Sequence, residues 1–513
     1  MSSQNKTSLT KFLPLFALLA ISFCLMLPFL PPGNSLNPDS GIFVYIGREI
    51  SRGKLLYLDA WDHKGPLLFY INAFGYSLGK RTGIWVVEYF LLALSTTAGY
   101  HVIKKWLGPW AALYGNLAWF ASFFPLIFGG NSVEEFSLPF GFLCILIFYH
   151  YLINQRPLYP VLIGAGLGMN LLLRPNNIGI QAIIIILTIF FHLRQNQVRC
   201  ALNALLLVLL GLVLVMLPVL LFFSYQGTLS ELIYASFTFN ILYSNLSSPL
   251  LYRFSYTPLF LLSLGWPCWF AIIGWFLALF NFFSSNRRIP FDFNLFLLLS
   301  FPIEFILLSL SGRPYFHYLI MLMPQICLLN AFFLYRFWKF LKERPQSKLK
   351  IPSIALLISL LLISYWSQGE LTNRIISVGG DRKLNENSPL IQYIGSNTRE
   401  DDFVLVWGQE AAINVLAERS SPTPYCSQTT FLIPGVVNPV VEQLFSTKLI
   451  ANRPKLIVIT DALPFPGNHF DEAIPIPQES RHIFDFFKSF VLENYHLVQI
   501  YGNYFVYQIN NQY

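Results

Sequence analysis

The stretch "WDHKGPLLFYINAFG", Trp61 to Gly75, sets Asp62, His63 and Lys64 directly before a proline that opens an apolar run. Pro66 suits the first position of a helix, where its missing N–H costs nothing, and the run after it predicts a helix reaching Gly75. The N–H groups of Leu67 and Leu68 then lack intrahelical partners and carry the positive end of the helix dipole. An ammonium placed there makes an anion site suited to phosphate, with Lys64 and its neighbour His63 as ligands. The same spacing also lets Lys64 pair with Asp62 or reach lipid headgroups, and the sequence leaves these readings open.

Two further cations precede prolines: Arg174 in "LLLRPNN" and Arg313 in "SGRPYFHY". The dipeptide alone means little, because Arg156, Arg344 and Arg453 also precede prolines. What counts is the side of the molecule on which each falls. Lys64, Arg174 and Arg313 together would hold a phosphate by charge-assisted, partly bidentate bonds, with His317 adding a contact to phosphate or to a sugar hydroxyl. Chemistry on a hydroxyl group also needs a carboxylate to take its proton, and burial at an interface moves a carboxylate toward that use. Asp39, in "NPDSGIFVYIGREISRG", is the first candidate, although an acid in a first helical turn is also ordinary capping. Asp62 and the pair Glu134–Glu135 in "GGNSVEEFSLPF" are candidates to orient an acceptor. Glu88 and Glu304 fall inside apolar stretches, where an acid is costly unless functional or paired.

These side chains need elements to carry them. The chain has 513 residues, of which 55% are hydrophobic, 17% aromatic and only 12% charged, too apolar for a soluble domain of that length. Hydropathy predicts about eleven transmembrane helices, near 12–31, 83–103, 108–128, 135–155, 158–173, 175–193, 201–224, 257–282, 289–310, 315–337 and 351–367. The first follows Lys6 and Lys11 as a signal peptide would, but Pro31-Pro32-Gly33 offers no small-residue cleavage pattern, so it reads as an anchor. Residues 1–367 therefore form a membrane domain with a large first outer loop, 32–82, and 368–513 a soluble α/β domain. In the latter, "DFVLVWG" and "KLIVIT" read as buried strands, "EAAINVLAE" and "HIFDFFKSFVLENY" as helices, and "HLVQIYGNYFVYQI" as a hairpin turning at Gly502-Asn503.

Short loops rich in Lys and Arg stay cytoplasmic. With the N-terminus inside, Lys104-Lys105, Arg156, Arg194 with Arg199, Arg287-Arg288 and the Arg336 to Lys350 tract all fall inside. The C-terminal domain and every candidate site residue then fall outside, in a multi-pass protein of the cell membrane. In the outer loop a helix from Pro38 to Gly53, with Ile42, Tyr45, Ile46 and Ile50 on one face, is expected to lie in the membrane interface. The net charge of +8 is thus a topology signal; with basic residues spread over inner loops, nucleic acid is excluded as a partner. Six cysteines, five in or beside spans, form no disulfide framework or zinc spacing. "GAGLG", Gly164 to Gly168, lies within a span with no strand before it, so it is a helix-packing feature rather than a dinucleotide loop.

The "PDSGIFVYIGREISRGKLLYLDAWDHKGPLLFYINAFG" block, with "GGNSVEEFSLPF", "LLLRPNN" and "SGRPYFHYLIMLMP", resembles the bacterial branch of the GT-C glycosyltransferases, relatives of protein O-mannosyltransferases and the lipid A aminoarabinose transferase. The resemblance covers the membrane domain. It implies a GT-C fold and an inverting transferase that moves a sugar, hexosyl or pentosyl, from a polyprenyl-phosphate carrier to a hydroxyl of a cell-surface glycan, lipid or protein at the outer face. It carries the catalytic acid to Asp39 and the phosphate-binding lysine to Lys64. Ser40 follows Asp39 where relatives have paired acids, so the resemblance leaves a divalent metal open, with Asp39 and Glu135 as its ligands if one is present. A lipid or solute transporter, or a non-catalytic polyprenyl-phosphate-binding scaffold, is the alternative. A transporter would set polar residues near the midplane and often shows repeated halves, neither of which is evident here.

Overall fold

The computed structural model describes residues 3–31, 35–127, 129–245, 254, 261, 264–283, 291–310, 315–343, 384–460, 463–465 and 475–510. Arg313 and the span expected at 351–367 lie outside the described residues. The membrane part comprises α1 (Ser3–Met26), α2 (Pro38–Ser51), α3 (Pro66–Leu107), α4 (Pro109–Phe123), α5 (Val133–Asn154), α6 (Leu158–Leu173), α7 (Gly179–Leu193) and α8 (Val198–Tyr225). There follow α9 (Leu229–Ile233) and α10 (Phe239–Asn245), joined by a π-helical turn Tyr234–Thr238, then α11 (Trp266–Phe283), α12 (Phe291–Leu310) and α13 (Met323–Glu343), the last entered through a 3-10 stretch Phe316–Leu322. Among the described residues eight helical stretches are long and apolar enough to cross a membrane, so the chain is a multi-pass membrane protein; eleven is not reached within them. Two of the expected spans are shorter helices, α4 and α6.

The basic loops after α3 and α7 gather at one end. Lys105 Nζ lies 2.9 Å from His150 Nε2 at the ends of α3 and α5, and Arg194 donates to Asp292 at 2.9 Å between the end of α7 and the start of α12. The ring of Trp106 bridges the two, 4.7 Å from Phe293. Helix α5, with 22 residues and a rise of about 1.5 Å per residue, carries Glu134 to the opposite end of the bundle. Lys64 and Arg174 lie at that same end, before α3 and after α6.

Two local departures from the sequence reading have physical causes. The helix opened by Pro66 does not stop at Gly75; it bends at Gly79 and Lys80, the latter at φ 52°, and continues as the expected second span. Its two halves fold tightly together, because a Cβ on Gly83 would stand 2.1 Å from the Gly75 carbonyl oxygen. Helix α2 does not rest in a membrane interface. Every residue from Ser40 to Glu49 is buried, one side against α3 and the other against the C-terminal part.

That C-terminal part contains α14 (Pro389–Asn397), β1 (Val404–Trp407), α15 (Ala412–Leu416), α16 (Pro439–Ala451), β2 (Leu456–Ile459), α17 (Arg481–Asn494), β3 (Tyr495–Tyr501) and β4 (Tyr504–Ile509). The strands form one sheet in the order β1-β2-β4-β3, with β1 and β2 parallel and the other pairings antiparallel. Each strand and helix read from the sequence is present, and the hairpin turns at Gly502 with φ 56°. α2 is clamped to this part by Arg48, which is fully buried. Its guanidinium donates to the carbonyls of Asn414 (2.6 Å) and Arg419 (2.8 Å) and to Glu49 (2.9 Å). Ser421 N–H donates to Tyr45 Oη at 2.8 Å, and a Cβ on Gly41 would stand 2.8 Å from Ala412 N. Removing the cation would take the charged donor from the buried Glu49 carboxylate and from two buried carbonyls, leaving Glu49 with the neutral Ser420 hydroxyl at 3.0 Å. Arg48→Ala is expected to cost about 3–5 kcal/mol, read as a lowered unfolding midpoint in detergent together with faster proteolysis between residues 384 and 510.

Candidate functional site

The chain reverses direction just before α3, and one contact fixes where it does so. Gly65 N–H donates to the Leu173 carbonyl at 3.1 Å, and a Cβ on Gly65 would stand 2.1 Å from Leu172 O, so only glycine permits this approach. Lys64 is thereby set beside the end of α6, where Arg174 leaves the helix in an extended conformation. Gly65 caps α3 without a side-chain hydrogen bond, so the first N–H groups of that helix remain donors facing Lys64.

Lys64 Nζ stands 2.8 Å from His63 Nε2 and 4.0 Å from Asp62 Oδ1. Asp62 Oδ1 also accepts the Lys64 backbone N–H at 3.1 Å, so Asp62 shapes the turn as well as facing the ammonium. Burial, then the charges of Lys64 and Arg174, hold His63 well below the usual histidine range, with Asp39 pulling the other way. The imidazole is therefore neutral near pH 7, and an Nε2 that accepts from the ammonium places its proton on Nδ1, 3.6 Å from Asp62 Oδ2. Its ring stacks on Phe239 at 4.8 Å and leans on Tyr243 at 5.6 Å. The backbone of this turn is held by Tyr57 Oη, donating to Lys64 O at 2.8 Å, and by Asn240 Nδ2, donating to His63 O at 2.9 Å.

Arg174 forms an ion pair with Glu134 at 2.5 Å and lies over the Tyr318 ring, 4.0 Å from its centre. His317 stacks on Tyr315 at 5.5 Å and lies within electrostatic reach of Glu134, Asp39, Arg174 and Lys64. Asp39 occupies the first turn of α2, whose N-cap is Asn37, accepting from Ser40 N at 2.8 Å. The capping role thus falls to Asn37, while Asp39 Oδ1 accepts from Gln409 Nε2 at 3.4 Å. The structure therefore brings Asp39, Asp62, His63, Lys64, Glu134, Arg174 and His317 to one end of the bundle.

Glu135 is placed differently. It forms a capping box with Ser132, its Oε1 accepting Ser132 N–H at 3.1 Å, and so serves the start of α5. Among the described residues no group of three His, Cys, Asp or Glu side chains stands together as a metal site. Glu135 is thus engaged by Ser132 at the start of α5, and Asp39 by Gln409. Glu88 and Glu304 are both buried. Glu88 accepts from Asn131 N, and Glu304 lines a small cavity with Glu134, Arg174, Asn177 and Tyr318. Sequence reasoning missed Tyr57, Phe239, Asn240 and Gln409. Only Gln409 had a usable signal, since it follows the carboxyl end of a parallel strand, where α/β sheets place functional groups.

Residues 1–364 match the family model described as "Putative competence-induced protein Ccs4 N-terminal domain". The chain belongs to this Ccs4 family. Among solved structures, ArnT of Cupriavidus metallidurans bound to undecaprenyl phosphate aligns over 97% of the Ccs4-family chain and 98% of its own, with 13% identity and a TM-score of 0.63. ArnT in the apo state aligns over 98% of each chain, with 14% identity and a TM-score of 0.60. The oligosaccharyltransferase AglB of Archaeoglobus fulgidus aligns over 88% of this chain and 70% of its own, with 12% identity and a TM-score of 0.49. None of the curated proteins matches the sequence. The fold of the Ccs4-family chain is accordingly the GT-C fold, as its motifs suggest.

The approach at Gly65 generates a test. Gly65→Ala pushes a methyl into backbone atoms that have no rotamer with which to yield, so the variant is expected to lose about 1–3 kcal/mol of stability. Unfolding in detergent checks this, with Gly395→Ala, where a Cβ meets nothing, as the control expected to stay near wild type.

Proposed function

We propose that the chain is an inverting glycosyltransferase, taking a hexosyl or pentosyl group from a polyprenyl-phosphate carrier to an acceptor hydroxyl at the outer face of the cell membrane. One observation carries the reading: Asp39, Lys64 and Arg174, from three separate stretches, all lie within electrostatic reach of His63 and His317, beside the start of α3 and at the end of the bundle away from the basic loops after α3 and α7. The shared fold supports it, since the ArnT structure named above holds undecaprenyl phosphate.

In this reaction Asp39 takes the proton of the acceptor hydroxyl as its oxygen attacks the anomeric carbon. The bond from that carbon to the phosphate oxygen breaks, and its electron pair stays on the departing lipid phosphate. Lys64 and the N–H groups of Leu67 and Leu68 stabilise the growing negative charge, with Arg174 adding a cation held in place by Glu134. His63 orients the ammonium without removing its charge, because a neutral imidazole accepts from it. A single displacement with one base inverts the configuration. The basic loops then lie on the cytoplasmic side, with the C-terminal part outside.

In lipid nanodiscs, a panel of undecaprenyl-phosphate-linked hexoses and pentoses should yield undecaprenyl phosphate coupled to sugar transfer. Saturable binding without turnover would make the chain a scaffold and end the proposal. Asp39→Asn should abolish transfer while membrane insertion and undecaprenyl phosphate binding persist; near-normal turnover would remove Asp39 as the base. Lys64→Ala should weaken binding of undecaprenyl phosphate by about 1.5–3 kcal/mol, the worth of a charge-assisted hydrogen bond, whereas Lys105→Ala at the opposite end should leave it unchanged.

A further inference from the structure

The loop that leaves β1 reaches across to α2 and touches Asp39. We propose that Gln409 is a positioning residue for the Asp39 carboxylate, so that the C-terminal part completes the reaction site rather than merely covering it. The inference rests on the reading of Asp39 as the base.

The backbone around Gln409 is pinned on both sides. Gly408, at φ 152°, donates its N–H to Gln428 Oε1 at 2.9 Å, and its carbonyl accepts from Gln428 N at 3.1 Å. A Cβ there would stand 2.1 Å from Thr460 Oγ1, so β1 and the end of β2 close on the loop. Gln409 N–H donates to Glu410 Oε2 at 3.1 Å, and Ala411 N–H donates back to Gln409 O at 3.0 Å. From this fixed base the amide reaches Asp39 Oδ1 at 3.4 Å.

The other partner is fixed by the same segment. α2 is held at Gly41 by Ala412, at Tyr45 by Ser421 and at Arg48 by Asn414 and Arg419. Trp61 N–H, in the turn that leads to Lys64, donates to Pro424 O at 2.9 Å. Residues 409–424 therefore lock α2 and the lysine turn in one register, and Gln409 is the member of that segment that reaches the carboxylate. An amide suits the task. It holds one oxygen through a neutral donor, leaving the charge of the carboxylate intact and its second oxygen to take the proton. Without the amide the carboxylate has further rotamers to sample, and a base that strays by about an ångström can lose as much as a hundredfold in rate.

The test uses the full chain in nanodiscs with the donor that wild type turns over. Gln409→Met keeps length but has no donor; Gln409→Glu keeps shape and sets a second carboxylate against the first. Gln409→Met should lower kcat about tenfold while KM for the donor moves less than about twofold, and Gln409→Glu should lower kcat further. Both should bind undecaprenyl phosphate and unfold as wild type does, and should one variant fail to fold the other still decides. A wild-type kcat in either folded variant overturns the inference. So does a loss confined to KM or to the unfolding midpoint, which is the mark of a structural contact. If Asp39→Asn retains turnover, the base assignment falls first; if that variant is inactive and Gln409→Met is not impaired, only the role of Gln409 falls.

Discussion

The contact between Gly65 N–H and the carbonyl end of α6 is the constraint from which the rest follows. It joins the start of one helix to the finish of another, and the residues flanking the junction, Lys64 and Arg174, are both cations. Two positive charges brought together at the edge of a low-dielectric bundle repel unless acids accompany them. The structure supplies one acid for each, Glu134 on Arg174 and Asp62 beside Lys64. The pairings differ in kind. Arg174 is closed into a short ion pair and stacked on Tyr318, whereas Lys64 stands 4.0 Å from its acid and accepts company from a neutral imidazole. One cation is therefore already fixed, and the charge of the other is only loosely compensated.

A second constraint comes from the far end of the chain. Helix α2 carries Asp39 but cannot position it alone, because a short helix buried on both sides takes its place from whatever packs on it. The fully buried Arg48 makes this dependence mutual. Its guanidinium gives two carbonyls of the C-terminal part a charged donor, and those carbonyls in turn permit a charge to be buried in α2. At the bend of α3, Lys80 pairs with Glu418 and Arg81 with Glu386, tying the same two parts together again. The membrane bundle and the sheet thus share one interface, with Asp39 on its rim.

How much of this was legible in the sequence follows from the range of the forces involved. Most apolar runs of helical length among the described residues, the parallel and hairpin strands, and the turn at Gly502 depend on neighbours a few residues away, and these are found where periodicity set them. The helix start beside Lys64 was legible because a proline, a lysine and an apolar run are local signals. The burial of α2 was not, since Ile42, Tyr45, Ile46 and Ile50 would line one face whether lipid or protein covered it; what decides is Ala412, some 370 residues later. The same distance hid Gln409, and Phe239 and Asn240 reach His63 only because α10 folds back over the lysine turn. Hydropathy also could not see the bend at Gly79, because it registers how apolar a segment is and not the backbone angle that reverses it.

His63 is the residue on which the electrostatic argument turns. A protonated imidazole beside Lys64 and within reach of Arg174 would add a third positive charge to the cluster and would forfeit its Nε2 acceptor, since both ring nitrogens would then carry protons. Burial against Phe239 prevents this by penalising the charged form, and the two flanking cations penalise it again. The neutral ring keeps its lone pair for the lysine, so the ammonium is aimed by a hydrogen bond that leaves its charge undiminished. A carboxylate in the same place would aim Lys64 equally well but neutralise it. The order Asp62, His63, Lys64 sets the acid at 4.0 Å and the imidazole at 2.8 Å, and that difference in distance is what leaves a positive charge available at the open end of α3.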